Sequence, residues 1–193
     1  MSTFVTLNSQ NIRMISITNK TLQDLEFDTI LNTISERCNT ELGKIKALEI
    51  TPFKEKNLLM DNLLQTSEYV SSYSNNNAIP NHGFDSINNE LKFLAIDGSQ
   101  LEVSGFRKIA TVSETANTLI LFFKKFQEYY PKLNEKASQI QVTKEIVKYI
   151  DEVIDKHGEV RDNASPDLLN IRRDMNVVRG KVNQSFGMAM SQY

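Results

Sequence analysis

SPDLLNIRRDMNVVRGKVNQSFGMAMSQY, residues 165–193, decides how the chain is read. Ser165 is the residue type that caps a helix start. Pro166 suits the first helical position, where its missing N–H costs nothing. Leu168, Ile171, Met175, Val178 and Val182 then recur at spacings of 3, 4, 3 and 4. That is the a/d seam of a coiled coil, narrower than the apolar face of an ordinary globular helix. Helical throughout, Pro166 to Tyr193 reaches about 42 Å at 1.5 Å per residue. Only Gly180 and Gly187 interrupt it, and Ser191-Gln192-Tyr193 is no stop signal. The helix therefore reads as cut off before a partner helix.

The remaining chain reads the same way. Phe106, Ile109, Ala110, Ser113, Ala116, Leu119, Ile120, Phe123 and Phe126 trace a buried stripe on a long helix over 101–128, with Ser99 and Glu102 as its capping box. Thr21 with Asp24 caps a helix whose face is Leu25, Ile30, Leu31, Ile34 and Cys38. A second helix starts at Asn39 or Thr40 and stops before Pro52. A third covers 54–73, with Leu59, Leu63, Val70 and Tyr73 inward. Residues 74–86 form the clearest loop. Short helices follow at 87–94 and 131–136, and Thr143 caps one that runs to Ile154. Residues 156–165 form a turn-rich link with a small hairpin at Gly158 to Val160. The fold class is all-α, with seven or eight helices. The domain reading is a flexible extension over 1–19, a helical core over 20–165, and an outgoing lever helix over 166–193.

Composition agrees. The 193 residues contain seven glycines and four prolines, few breakers for long helices. The net charge of −2 excludes a highly basic nucleic-acid wrapper. Charge is uneven: residues 1–101 carry 8 basic and 12 acidic groups, residues 102–193 carry 14 and 12. One cysteine, Cys38, excludes an internal disulfide and every multi-cysteine zinc site. A cytoplasmic home is the expectation, because no secretory signal or bilayer-length apolar run is legible.

Several stretches point to a family. They are Thr21-Leu-Gln-Asp-Leu-Glu-Phe27, Cys38-Asn-Thr-Glu-Leu-Gly-Lys-Ile-Lys-Ala-Leu-Glu-Ile-Thr-Pro-Phe53, Asn77-Ala-Ile-Pro-Asn-His-Gly-Phe-Asp-Ser-Ile87 and Leu101-Glu-Val-Ser-Gly-Phe-Arg-Lys-Ile109. The most diagnostic is Gly158-Glu-Val-Arg-Asp-Asn-Ala-Ser-Pro-Asp-Leu-Leu-Asn-Ile-Arg-Arg173. Together they resemble the start of the bacterial MutS-two family, paralogues of MutS that usually end in a small MutS-related (Smr) nuclease domain. The match runs from about residue 15 to the end. The resemblance implies a helical core, lever helices leading to a DNA clamp, then an ATPase domain and the Smr domain. It implies binding of branched DNA, suppression of recombination and rescue of stalled ribosomes for the whole protein. This chain resembles the outgoing half of core and lever.

Chemistry is sparse. There is no G-x-x-x-x-G-K-[ST]: Gly43-Lys44 and Gly180-Lys181 lack the upstream glycine and the following hydroxyl. ATP and Mg are implied only for the ATPase domain, so no cofactor, metal or catalytic residue is assigned here. His82 and His157 precede glycines in loops and read as turn residues. Phe122, Phe123, Phe126, Tyr129 and Tyr130 read as core rather than base-stacking groups. Arg172, Arg173, Arg179 and Lys181 are the candidate phosphate contacts, since a lever leading to a clamp would pass near DNA and the guanidinium fork suits phosphate. The competing reading gives them to carboxylates of neighbouring helices. Leu168, Ile171, Met175, Val178 and Val182 are the candidate partner seam. Two functions remain open: a non-catalytic core and lever module with DNA or the ribosome as partner, and a free-standing interaction module that pairs with a second copy through its last helix. No membrane partner is expected.

Overall fold

The computed structural model describes residues 17–191. The chain divides into two units, Met1–Lys54 and Glu55–Tyr193. Among the described residues there are nine helices and no strand. The extension expected over 1–19 lies, up to residue 16, outside the described residues, and so do Gln192 and Tyr193.

The first unit holds α1 (Asn19–Asp24), α2 (Phe27–Glu36) and α3 (Glu41–Leu48). The single capped helix expected from Thr21 is two helices. Thr18, not Thr21, is the cap, its hydroxyl accepting from the Thr21 N–H. Glu26 then takes a left-handed φ of 50°, which costs a non-glycine residue about 1–3 kcal/mol and ends the run. The kink turns the expected face. Leu31 and Ser35 are buried against α3, while Leu25, Ile30 and Ile34 are exposed. The Ser35 hydroxyl donates to the Lys44 carbonyl at 3.3 Å. Thr40 caps α3 as its residue type predicts.

The second unit holds α4 (Lys56–Ser71), α5 (Asn88–Leu94), α6 (Val103–Lys125), α7 (Pro131–Ala137), α8 (Lys144–Val153) and α9 (Pro166–Met190). The central helix α6 packs on α7 and α8, and α7 packs on α4. The predicted α6 stripe is inward, with Ile109, Ala110 and Ile120 buried. Its start differs from expectation. Glu102 is the cap position, and Ser99 Oγ instead donates to the Phe93 carbonyl at 2.6 Å. Gly105 is buried, and a Cβ there would lie 2.7 Å from Leu101 Cγ, so glycine makes the room Leu101 fills. The expected inner face of α4 points outward: Leu59, Leu63, Val70 and Tyr73 are all exposed. The helix instead turns Asp61, Glu68 and buried Ser72 to its packed side, because α7 needs acceptors there.

Polar ties join these helices. The Glu68 carboxylate accepts the backbone N–H of Lys132 at 2.8 Å and of Leu133 at 2.9 Å, capping α7 from another helix. Lys132 Nζ reaches Asp61 at 2.7 Å. Asn117, buried within the α6 stripe, accepts the Thr143 N–H at 2.7 Å at the start of α8. The Thr143 hydroxyl turns to the same oxygen rather than capping its own helix. Tyr130 is fully buried among Phe122 and Phe123, and its hydroxyl donates to Asn75 Oδ1 and the Asn77 carbonyl. His82 donates from Nδ1 to the Pro80 carbonyl and accepts the Tyr69 hydroxyl at Nε2. The loop 74–86 is therefore held at Asn75 and Asn77 by Tyr130 and at His82 by Tyr69. Removing the Asn117 acceptor leaves Thr143 N–H unpaired inside the unit. Asn117→Ala should cost about 1–3 kcal/mol, read as a lower urea midpoint; an unchanged midpoint would show that the tie carries no stability.

Candidate nucleic-acid and partner surface on the last helix

The final helix starts as its sequence predicts. Ser165 Oγ accepts the Leu168 N–H at 3.1 Å, and Pro166 and Asp167 fill the first turn. Its 25 residues give a length of about 38 Å. No other described helix packs along it. Ile171, Met175, Val178 and Val182 are each more than half exposed, and Leu168, nearest the base, is partly covered. The apolar strip continues to Phe186, which is 70% exposed.

The four cations do not share a face. Successive residues turn by about 100°, so Arg172 and Arg179, seven apart, lie on one side near the seam. Arg173 sits about 100° round from Arg172, and Lys181 about 160° from Arg179. Arg172 is already engaged: Nη1 donates to the Val160 carbonyl at 3.0 Å and pairs with the Asp162 carboxylate. Arg173, Arg179 and Lys181 make no ion pair among the described residues.

The base of α9 rests on a folded turn. Ile154 and Val160 form an antiparallel bridge, with Asp155 N–H donating to the Glu159 carbonyl and Arg161 N–H to the Val153 carbonyl, both at 2.8 Å. Gly158 closes the turn at φ +83°, which a side chain would strain. The Asp155 carboxylate accepts the N–H groups of Glu159 and His157. Those bonds, the Glu159 one foremost, hold its pKa below the ordinary value. Arg161 Nε donates to the Asp151 carbonyl at 2.6 Å. Sequence reasoning expected a hairpin here and missed these arginine ties.

Beside this turn lies a cleft of about 400 Å³, lined by Asp85, Ser104, Arg107, Lys108, His157 and Gly158. Its cations are spoken for. Arg107 bridges Glu114 and Asp151 at 2.7 Å each, and Lys108 reaches Glu90 at 3.0 Å. Burial works against the Arg107 charge, but the two carboxylates outweigh it and raise its pKa. Among the described residues no group of three His, Cys, Asp or Glu side chains could hold a metal ion, and no helix is long and apolar enough to cross a membrane.

The class so defined is an all-helical chain whose last helix stands with its apolar seam uncovered. No protein-family model matches it. It is similar to endonuclease MutS2 of Symbiobacterium thermophilum, 28% identical over 165 residues, covering 86% of this chain and 21% of that protein. The same holds for endonuclease MutS2 of Alkaliphilus oremlandii, 28% identical over 179 residues, 90% of this chain and 22% of that protein. That of Leuconostoc citreum is 28% identical over 163 residues. These matches make the chain similar, over most of its own length, to proteins named endonuclease MutS2. It spans about a fifth of the length of the curated relatives it matches.

A pH dependence follows from Asp155. Its folded pKa is depressed, so its contribution is present above its ordinary 3.8 and is lost as pH falls through the lower folded value. Asp155→Asn should lower the melting temperature near neutral pH, and the gap to the parent should close on acidification to about pH 2, followed by circular dichroism.

Proposed function

We propose that this chain is a non-catalytic core and lever module of a MutS2-type protein, with 20–165 as core and 166–193 as lever. The observation that carries this reading is α9: a helix of 25 residues that, among the described residues, is held at its base and has no helix packed along its sides. A stiff helix fixed at one end converts a small rotation there into a displacement at the other, and packed helices shift between discrete positions rather than bending smoothly. The similarity to proteins named endonuclease MutS2 supports placement beside a DNA-directed, nucleotide-driven engine in the cytoplasm. Catalytic steps are assigned to parts of those relatives outside this fifth. DNA is the partner that the exposed cations favour. Arg173, Arg179 and Lys181 surround the helix like a thin positive sleeve, suited to sequence-independent phosphate contact. The ribosome is a further partner suggested by the family resemblance alone.

A second reading rests on charge spacing. In the heptad frame set by the seam, Asp167 and Asp174 take g positions and Arg172 and Arg179 take e positions. A parallel second copy would bring Asp174 against Arg179 of that copy. An antiparallel copy would oppose Arg172 and Arg179.

Anisotropy with labelled branched and linear DNA tests the first reading. Binding should be weak and fall with salt between about 50 and 200 mM, with a log–log slope of one or two charges, about −0.9 to −1.8, because Arg173, Arg179 and Lys181 do not share a face. Arg173→Ala with Arg179→Ala should lower that slope by about one charge. No binding at low salt would remove DNA contact from the module. Light scattering tests the second reading: Val178→Asp should convert a dimer to a monomer, and a parent that is monomeric at every concentration would end it.

A further inference from the structure

We infer that the turn over 155–165 is a rigid elbow and that Arg172 is its latch, a positioning residue that sets the direction of α9 rather than a phosphate contact. Three independent connections converge there. The bridge between Ile154 and Val160 folds the turn back onto the end of α8. Arg161 ties the turn to the Asp151 carbonyl in the last turns of α8, while the Asp151 side chain pairs with Arg107 of α6. Arg172, two turns into α9, reaches back to the Val160 carbonyl and the Asp162 carboxylate. The chain of contacts therefore runs from α6 through Asp151, Arg161 and the turn to Arg172.

The chemistry explains why arginine stands at both ends. Nη1 of Arg172 carries two N–H groups held in the guanidinium plane, so this one nitrogen serves both the Val160 carbonyl and the Asp162 carboxylate. A lysine offers a point charge without that fixed geometry. The Val160 carbonyl is one that the two-residue bridge leaves facing α9. Ser165 and Pro166 start the helix, but their contacts lie within its first turn and do not tie it to the turn before it. The Arg172 latch adds a second fixed point about two turns along, and two points define an axis. The sequence block that resembles the family most closely, Gly158 to Arg173, is in this structure the elbow with its latch.

The assignment adds to the lever reading, but its test reads geometry alone. Spin labels at Lys148→Cys on α8 and Asn183→Cys on α9, in a Cys38→Ala background, report the α8–α9 distance by pulsed dipolar spectroscopy. The parent should give one narrow distribution. Arg172→Ala should broaden it at least twofold while helix content stays unchanged, and Arg172→Lys should give an intermediate width. The charge exchange Arg172→Asp with Asp162→Arg should recover part of the narrowing. DNA affinity and its salt slope should be the same for Arg172→Ala and the parent. A distribution unchanged by Arg172→Ala would overturn the latch. A salt slope reduced by about one charge would also overturn it, returning Arg172 to the phosphate contacts. Loss of DNA binding in the parent, with the distances behaving as stated, would leave the elbow standing and sink only the DNA contact.

Discussion

Every helix leaves its first backbone N–H groups without internal partners, and in this protein that need ties helices to one another. Glu68 of α4 supplies both acceptors for the start of α7. Asn117 of α6 supplies the acceptor for the start of α8. Each tie fixes where a helix begins and which neighbour it leans on. The buried core of the second unit is small, built from Ile109, Ala110, Ile120, Tyr130, Ala137 and Ile154. Apolar burial alone would specify these packings loosely. A buried acceptor with one correct partner specifies them tightly, since the cost falls on every alternative arrangement that leaves it unpaired.

The same logic shapes the base of α9. Ser165 satisfies the first N–H groups locally, and Arg172 reaches back to a carbonyl and a carboxylate of the preceding turn. Beyond that point, among the described residues, the helix has its own hydrogen bonds and no others. The cations on its free length stand where three side chains can be hydrated or can meet a polyanion. The contrast between a fastened base and free sides gives the lever reading its physical content.

Legibility in the sequence varied with the range of the interaction. The α6 stripe, the Thr40 and Ser165 caps, Pro166 and the hairpin at Gly158 follow from periodicity or from contacts within eight residues, and the structure has them. The misreadings share one cause. Thr21 and Ser99 are good caps by residue type, but Thr18 and Glu102 hold the cap positions because the neighbouring turns place them there. Leu59, Leu63, Val70 and Tyr73 make a regular stripe, yet α4 turns Asp61, Glu68 and Ser72 inward because α7 requires acceptors. Arg172 and Arg173 look alike in sequence, and only the position of the Val160 carbonyl separates them.

The amino-acid sequence by itself determined that the chain is helical, that its last helix carries a 3–4 seam, and that it resembles the MutS-two family. Periodicity, capping chemistry and scarce breakers are local properties, and local properties suffice for those statements. The tertiary structure alone decided which face of each helix is covered, which polar side chain completes which helix start, and which arginine is held. Those outcomes depend on partners 10 to 65 residues away. No local pattern encodes them, because a carboxylate or a guanidinium reads the same in sequence whether it meets water, a phosphate or a backbone amide.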